Sequence, residues 1–381
     1  MVTRQEAIQN LFRWIQSKYG NVDKLMDTSL HVQVRHDGQI ITHDLERLFR
    51  HEILALHIKN YLDPTYAQHL GKELADMFVA AKKKDINSTQ AKALLPQARN
   101  WTTSHLRGYP ELSDVYTLGH HVPYNVAISD PLHDKAKTEY YHGVLRELRQ
   151  RKRCMRTVAV DSSPMDSSSS SSSSSSTWNI PQLHPMDQLR LDLDETWPAG
   201  AGLYKEKIEY SSTTNSANSN RQNNYSPSSS PSSSYSPMGA GLPRIMIGPT
   251  RWRQGFIHVD ELNPLNIHRG LFSANIFLQL PPKVQTNDGN LLIWPLNVRN
   301  KVDWYRNAHL LSKLVSSDVM DQYELRKALQ HPVQLHLDPG DLVLLCVQRP
   351  HAAMGFEQGI RVSYQSFLQY TGSDSRILLE I

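Results

Sequence analysis

The C-terminal part of the chain is a series of short apolar or alternating runs separated by turn residues. The runs begin near Leu242 and include RIMIGP, GFIHVD, SANIFLQLPP, GNLLIWPL, VQLHLD, DLVLLCV and IRVSYQSFLQY, with Gly, Pro, Asn and Asp between them. Runs of this length and spacing are typical of an antiparallel sandwich or barrel. One helical pattern, SSDVMDQYELRKALQHP, interrupts the series. We therefore predict an antiparallel β-domain over residues 240–381.

The N-terminal region, residues 1–160, has mainly helical patterns. Ile8, Leu11, Phe12 and Ile15 recur at helical spacing, and PLHDKAKTEYYHGVLRELRQRKR is a second amphipathic run. The apolar stretch ILALHIKNYL predicts a strand, and DPTYAQHLGKELADMF predicts a helix that Asp63 caps. The expected fold class is therefore α+β, with N-terminal helices and a first strand supporting the β-domain.

Two Ser-rich segments interrupt the chain. Residues 161–177 contain a run of serines, and residues 211–239 are rich in Ser, Asn and Pro. Such compositions bury too little apolar surface to offset chain entropy, so we predict two disordered insertions. Residues 178–210, with a predicted strand at 203–210, read as the start of the β-domain. The insertions then decorate one domain instead of separating two.

Composition argues against several classes of protein. The chain has 381 residues, and 41 Lys and Arg against 37 Asp and Glu give a formal charge of +4, which offers no reason to expect nucleic acid or a membrane surface as partner. Only Cys154 and Cys346 are present, which excludes a disulfide framework and a multi-cysteine zinc site. No stretch approaches the roughly 18 apolar residues of a membrane span. We expect a cytoplasmic protein.

A histidine and an aspartate stand two apart in GFIHVD. On a strand, His258 and Asp260 would project from the same face and could bind one divalent cation. With 18 histidines in the chain, chance alone can produce such a pair, and LHLDPGD supplies a second one at His336 and Asp338. Asp338 enters a Pro-Gly turn, and too few residues separate it from His351 to build an opposite wall. We therefore interpret the second pair as an accident of an edge strand.

Further residues suit the first pair better. A facial metal site built from two His and one carboxylate takes its third ligand from a distant strand, and His351 in VQRPHAAMGF is placed for this. Ten residues later, Arg361 and Ser363 alternate onto one strand face. A guanidinium and a hydroxyl so arranged can hold a ligand carboxylate.

This combination of residues resembles the Fe(II)- and 2-oxoglutarate-dependent oxygenases, in particular the prolyl-hydroxylase-like members. The resemblance covers about residues 242–372. DGNLLIWP is similar to their mid-barrel strand, and DPGDLVLL resembles the turn before the strand of the distal histidine. The chain departs from the pattern at Asn290, where a second glycine is usual.

The resemblance implies a double-stranded β-helix, or jelly roll, with iron at its mouth. His258, Asp260 and His351 would bind Fe(II), and 2-oxoglutarate would chelate the metal while its far carboxylate meets Arg361 and Ser363. With O2, such a site would hydroxylate a small-molecule or peptide substrate. The alternative is a non-catalytic or cupin-like metal-binding jelly roll that binds a carboxylate ligand.

Strand alternation adds weaker candidates for contacts with the cosubstrate or the substrate. Ser273, Asn275, Phe277 and Gln279 are expected on one face of SANIFLQ. Gln254 is expected on the face of His258. Ordinary barrel packing is the competing interpretation for each of these residues, and packing is the expected role of Leu291 and Ile293.

Overall fold

A computed structural model describes residues 3–83, 97–100, 115–119, 133–153, 156–159, 179–208 and 234–380 of the chain. Its helices are α1 (Arg4–Tyr19), α2 (Val22–Leu25), α3 (Thr42–Phe49), α4 (Pro64–Lys83), α5 (His133–Arg153), α6 (Pro185–Thr196), α7 (Lys301–Arg306), α8 (Ala308–Leu311) and α9 (Val319–Leu329), with a 3-10 turn at Ser312–Val315. Its strands are β1 (Val32–Arg35), β2 (Ala55–Ile58), β3 (Gln97–Asn100), β4 (Val115–Gly119), β5 (Arg156–Ala159), β6 (Asn179–Gln182), β7 (Ala201–Leu203), β8 (Lys205–Ile208), β9 (Ser234–Pro237), β10 (Leu242–Ile247), β11 (Gly270–Gln279), β12 (Leu291–Ile293), β13 (Val333–Leu335), β14 (Leu342–Cys346), β15 (His351–Ala353), β16 (Ile360–Tyr370) and β17 (Ile377–Glu380).

Ten strands form one large sheet. Eight of them follow the order β1-β2-β14-β11-β16-β10-β4-β3, while β17 pairs with β16 and β7 pairs with β17. All these pairings are antiparallel except β1 with β2 and β17 with β7. A second, antiparallel sheet has the order β13-β12-β15. The fold is thus mixed α+β with a large antiparallel sheet, which is consistent with a jelly roll.

The main core lies on the helical side of the large sheet. Phe272, Ala274 and Ile276 alternate along β11 and are fully buried there. The ring of Phe272 packs on the ring of Phe49 of α3, with centroids 4.8 Å apart. Helix α4 comes so close to β11 that a Cβ atom at Gly71 would lie 2.9 Å from the backbone carbon of Leu278. The helices therefore cover one face of the sheet completely at β11.

The small sheet covers the opposite face. Phe277 and Val343 of the large sheet form one buried cluster with Leu291, Ile293 and Leu335 of the small sheet. The predicted packing role of Leu291 and Ile293 is confirmed. Because the two sheets face each other, polar side chains on the inner face of the large sheet, near its junction with β10, can share an enclosed space.

The sequence patterns predicted several elements correctly. The strand in ILALHIKNYL is β2, the run beginning at Pro64 is α4, and the interrupting helical pattern is α9. The predicted cap is present, since the Tyr66 amide donates to Asp63 Oδ1 at 2.8 Å. Among the described residues, no helix is both long enough and apolar enough to cross a membrane.

Two predictions about the inserted region are wrong in part. The strand expected over residues 203–210 is instead two short strands, β7 and β8, and α6 precedes them. Residues 234–237, placed within the disordered insertion 211–239, form β9 and pair with β8. The ordering has a physical reason, because Met238 directly after β9 is buried against Tyr140 and Tyr141 of α5. Residues 161–177 and 211–233 lie outside the described part of the chain.

Candidate metal centre

Three side chains from two distant segments converge on one point. A ligand atom from each of His258, Asp260 and His351 lies within 4.8 Å of the other two. His351 Nε2 is 3.4 Å from Asp260 Oδ2, and His258 Nε2 is 3.9 Å from Asp260 Oδ1. Within the described ranges, this is the only group of three or more His, Cys, Asp and Glu side chains so arranged.

Backbone hydrogen bonds hold the two segments in register. The amides of His258 and His351 donate to each other's carbonyls at 3.1 and 3.0 Å, and the Asp260 amide donates to the Val347 carbonyl at 3.0 Å. His351 begins β15 and is paired with Ile293 of β12. The GFIHVD run contributes a single β-bridge at His258 and not the full strand that its alternation predicted.

Both imidazoles are oriented in the same way. His258 Nδ1 lies 3.0 Å from the carbonyl of Phe256, and His351 Nδ1 lies 2.9 Å from the carbonyl of Arg349. A carbonyl can only accept, so each Nδ1 carries the proton and each Nε2 keeps its lone pair. Such hydrogen bonds behind the ring are the usual means of fixing metal-binding histidines. Two imidazole nitrogens and one carboxylate are a donor set that suits Fe(II).

Burial and neighbouring groups favour the metal-binding protonation states of His258 and Asp260. The pKa of His258 is lowered to about 4, because burial disfavours the imidazolium and the neighbouring His351 imidazole acts in the same direction. Burial acts to raise the pKa of Asp260, but its interactions with His351, His258 and Arg244 outweigh it and hold that pKa below its ordinary value. The side chains of His258, Asp260 and His351 are 28%, 16% and 9% exposed, so the site remains open on one side.

Helix α9 holds the segment that carries His258. Gln322 accepts a hydrogen bond from the Ile257 amide at 2.8 Å and donates one to the Ile257 carbonyl at 2.9 Å. Arg326 donates to the carbonyls of Gln254, at 2.8 Å, and of Gly255. Sequence reasoning missed both residues. The available signal was a glutamine on the buried stripe of α9 that Leu325 and Leu329 define.

Arg361 and Ser363 lie on the inner face of the large sheet. They are 6% and 5% exposed, and Gln365, which alternates onto the same face, is 3% exposed. Arg361 Nη1 and Gln365 Oε1 are buried and have no hydrogen-bond partner. The Arg361 guanidinium lies 4.9 Å from the ring centre of Phe277, and burial lowers the pKa of Arg361 to about 10 while leaving it charged at neutral pH. A buried cationic donor without a partner, beside a hydroxyl, fits a ligand carboxylate.

A second arginine shares this face. Arg244 of β10 stands directly opposite Ser363 of β16, so both side chains project from the inner face. Burial lowers the pKa of Arg244 to about 10, and the charge of Asp260 acts in the opposite direction. The sequence reasoning did not select Arg244. Its only signal was the alternation in LPRIMI, which any half-buried strand can show.

The other predicted contact residues have different outcomes. Asn275 lies on the inner face opposite Gln365 and donates to Ser273 Oγ at 3.1 Å. Gln254 does not share the face of His258, because Gly255 has a φ of +78° and the turn there ends the alternation; Gln254 is exposed. Gln279 also leaves the predicted face, since a register shift after Phe277 pairs it with Val362.

The second His-x-Asp pair takes part in other interactions. His336 Nδ1 lies 3.1 Å from the side-chain Nδ2 of Asn290, and Asp338 forms an ion pair with Lys59 at 2.8 Å. Asn290 is fully buried and also donates to the Thr286 carbonyl at 3.3 Å. The residue that departs from the family pattern therefore ties the turn before β12 to the end of β13.

Comparisons with known proteins give structural similarity at low identity. No protein-family model matches the chain, and no curated protein matches it in sequence. Two solved structures of an N-substituted L-amino acid dioxygenase from Burkholderia ambifaria AMMD are similar to this chain. One has 15% sequence identity and a TM-score of 0.26, and the match covers 38% of this chain and 55% of that chain. The other, in complex with α-ketoglutarate, has 11% sequence identity and a TM-score of 0.33, and the match covers 71% of this chain and 86% of that chain. The carbocyclase SnoK of nogalamycin biosynthesis, a non-haem α-ketoglutarate-dependent enzyme, is similar at 13% identity and a TM-score of 0.35, covering 87% of this chain and 88% of SnoK. In the first of these matches the chain spans about half of the dioxygenase.

Proposed function

We propose that the chain is a non-haem iron oxygenase that couples the oxidative decarboxylation of 2-oxoglutarate to the hydroxylation of an organic substrate. The carrying observation is the convergence of two imidazole Nε2 atoms and the carboxylate of Asp260 within 4.8 Å, with each Nδ1 fixed by a backbone carbonyl. Three ligands on one side leave the remaining positions of a metal ion open for cosubstrate and O2.

His258, Asp260 and His351 would hold the iron, and the bound iron with 2-oxoglutarate supplies the oxidising chemistry. Arg361 and Ser363 would bind the far carboxylate of the cosubstrate, since Arg361 Nη1 is a buried donor without a partner. Phe277 packs under the Arg361 guanidinium and keeps water from its other face. The protein's own contribution is to orient the ligands and to exclude water.

In this proposal the two facing sheets are the walls of a double-stranded β-helix, and residues 240–381 carry the catalytic site. Residues 1–160 and 178–210 supply supporting helices and outer strands of the large sheet. We propose a small molecule or a peptide as substrate, because Arg361 and Ser363 lie on the buried inner face of the large sheet and not on a basic surface.

The test is succinate formation from 2-oxoglutarate by anaerobically iron-loaded protein after oxygen is admitted. His351→Ala should abolish turnover and should weaken Fe(II) binding by more than the roughly 10- to 100-fold that loss of an outer hydrogen-bond partner costs. Arg361→Leu should retain iron and lose 2-oxoglutarate. His336→Ala, at the other His-x-Asp pair, is the matched control and should retain iron affinity. Binding of both iron and 2-oxoglutarate without any succinate would reject the oxygenase and favour a binding protein.

A further inference from the structure

A cavity of about 850 Å³ lies beside β7 and β17, at one edge of the large sheet. Leu378 of β17 lines this edge cavity and pairs with Gln369 of β16, eight residues along that strand from Arg361. At about 3.4 Å per residue, roughly 25 Å of strand separates the two positions. The edge cavity shares no described lining residue with the metal centre or with Arg361 and Ser363. It is therefore a separate place in the fold.

Part of the wall of the edge cavity is apolar. In β17, Ile377 and Leu379 are fully buried in the core, whereas Leu378 between them is half-buried and faces the cavity. Leu145 and Leu148 lie three residues apart on α5, so they share one face of that helix, and both line the cavity. Half-buried leucines gain from being covered, because each methylene removed from water favours association. The wall therefore suits an alkyl chain.

The rim of the edge cavity is basic. Its described lining includes four cationic side chains and one carboxylate, namely Arg149, Arg190, Lys205, Arg376 and Asp187. Arg149, Arg190 and Lys205 form neither an ion pair nor a side-chain hydrogen bond with another residue in the described ranges. An anion at the rim would therefore meet cationic donors that are free to bind it.

The sheet edge beside the cavity is closed to an added peptide strand. Among the described strands, β7 pairs with β17 alone, and such an edge can normally accept another strand. Here Asp194 Oδ1 accepts the N–H of Ala201 at 2.7 Å, and Arg376 donates to the carbonyl of Ala201. The Arg376 guanidinium also lies 2.9 Å from Asp194 Oδ1. Both backbone groups of Ala201 are thus occupied, which favours a small molecule over a peptide strand.

The neighbouring part of the chain lacks the chemistry that would match the edge cavity. Residues 211–233, between β8 and β9, contain no Asp or Glu and no Leu, Ile, Val, Met, Phe or Trp. A segment of this composition offers neither an anion for the rim nor an alkyl group for the wall. The occupant is therefore expected to come from solution.

We propose that the edge cavity is a second binding site, which takes a small amphipathic anion of the alkyl carboxylate class as a free monomer. Its chain would cover Leu145, Leu148 and Leu378, and its carboxylate would lie at the rim beside Arg190 and Lys205. A guanidinium fork matches a carboxylate, and the volume is within the roughly 300–1,000 Å³ of small-molecule sites. The inference is independent of the proposed function, because it requires neither iron nor 2-oxoglutarate.

The test is calorimetric titration of the full chain, without added metal, with octanoate, hexanoate and 1-octanol below the concentrations at which they aggregate. Each further methylene that is covered should tighten binding about fourfold, so octanoate should bind roughly 10-fold more tightly than hexanoate. Octanol has the same chain without the charge and should bind more weakly than octanoate. Arg361→Leu should bind octanoate as the wild type does, which separates the edge cavity from the inner face of the large sheet.

Variants of the rim and the wall should have different effects. Arg190→Gln and Lys205→Gln should each weaken octanoate binding roughly 3- to 10-fold and leave octanol binding unchanged, because they remove only a charge at a half-open site. Leu378→Thr keeps the β-propensity of β17 and should weaken the binding of both ligands. Arg306→Gln removes an exposed charge on α7 and is the matched control, which should bind as the wild type does.

Thermal melting of each variant checks that the fold is intact, and exposed Lys205 gives a variant whose folding is least at risk. The inference is overturned if wild-type protein binds octanoate no more tightly than octanol, or if neither rim variant changes octanoate affinity. It is also overturned if the protein cosediments with vesicles of phosphatidylserine and phosphatidylcholine but binds no monomeric octanoate, since the basic rim would then recognise a lipid surface.

Discussion

Buried histidines in this chain behave differently because their immediate neighbours differ. His57 lies 2.8 Å from the carboxylate of Asp341 and is therefore paired. His51 is 2% exposed and has only the Asn266 carbonyl, at 3.3 Å, as a partner, with no hydrogen bond at Nδ1. Burial, with the positive charge of Arg349 in addition, lowers the pKa of His51 to about 4. The same side chain is thus hydrogen-bonded to a carboxylate at one position and resists protonation at the other.

His51 should make stability depend on pH. An unfolded histidine takes up a proton near pH 6.5, whereas folded His51 does so near pH 4, so the folded state loses stability as pH falls through this window. His51→Asn removes the effect and tolerates the positive φ of 62° at this position. Between about pH 7.5 and pH 5, urea denaturation should show the wild type losing about 2 kcal/mol more free energy of unfolding than the variant. Exposed His268→Asn is the control, and equal pH dependence of wild type and His51→Asn would contradict the prediction.

Residue type and spacing were sufficient to predict the candidate metal ligands, because only a few types of side chain bind a metal. His258, Asp260 and His351 were selected because a metal needs such donors, and the structure brings their ligand atoms together. Arg244 was missed because one arginine in an alternating strand has nothing to distinguish it from a solvated residue. Gln254 was placed wrongly because alternation fails at a glycine with positive φ, and the sequence does not show which glycines adopt it.

At the scale of elements, a helix takes the place of a neighbouring strand. The segment carrying His258 has a single β-bridge, to His351. The backbone N–H and C=O of Ile257, the residue before His258, both form hydrogen bonds with the side-chain amide of Gln322. Helix α9 therefore fixes one side of the metal centre, and β15 fixes the other. An extended segment held in this way can present its side chains accurately without belonging to a sheet.

Gln322→Leu should disturb both stability and the metal centre. The substitution keeps the apolar stripe of α9 and leaves the buried amide and carbonyl of Ile257 without partners, at a cost of about 1–3 kcal/mol each. Zinc titration should show metal affinity reduced roughly 10- to 100-fold, as for loss of an outer support of a ligand. Lys327→Leu on the exposed side of α9 should change neither quantity. Reduced stability with full metal affinity would show that α9 supports the fold only.

Local sequence patterns predicted those helices and strands in which the buried residues repeat at the period of a helix or of a strand. Strands β11, β14 and β16 and helix α9 were recognised because their apolar positions repeat as their geometry requires. The leucines of LRLDLD alternate along the sequence as they would on a strand, yet this segment is helical, and Leu189 and Leu193 are buried four residues apart on one side of α6. Strand β9 gave no apolar signal, since it is ordered by pairing with β8 and by the burial of the next residue, Met238. Long-range contacts of this kind leave no local pattern.

At the scale of the molecule, both halves of the chain build one sheet. Strand β2 pairs with β14, and β4 pairs with β10, so N-terminal strands extend the sheet that carries Arg361. The polar link between His57 and Asp341 joins β2 to the residue just before β14. The sheet that carries Arg361 is therefore built from contacts that are far apart in sequence.

Shortening the connection between β8 and β9 should change stability in opposite directions, depending on whether the deletion spares β9 or removes it. The sequence of the connection is rich in Ser and Asn, and closing a shorter connection between Ile208 and Ser234 costs less entropy. Deleting residues 211–231 should therefore raise the free energy of unfolding by about 1–2 kcal/mol. Deleting residues 213–236 removes most of β9 and the backbone pairing of Glu206 with Ser236, and it leaves Met238 without its anchor over α5.

The second deletion should lower stability and the first should not, although the two remove similar lengths of chain. Urea denaturation of both variants measures the difference, and 2-oxoglutarate binding shows whether it reaches the metal centre. Because β8 and β9 form their own two-stranded sheet outside the large one, ligand binding should survive in both deletions. Loss of binding in the 211–231 deletion, with stability retained, would mean that this segment contributes to the site directly and that the site extends beyond the two facing sheets.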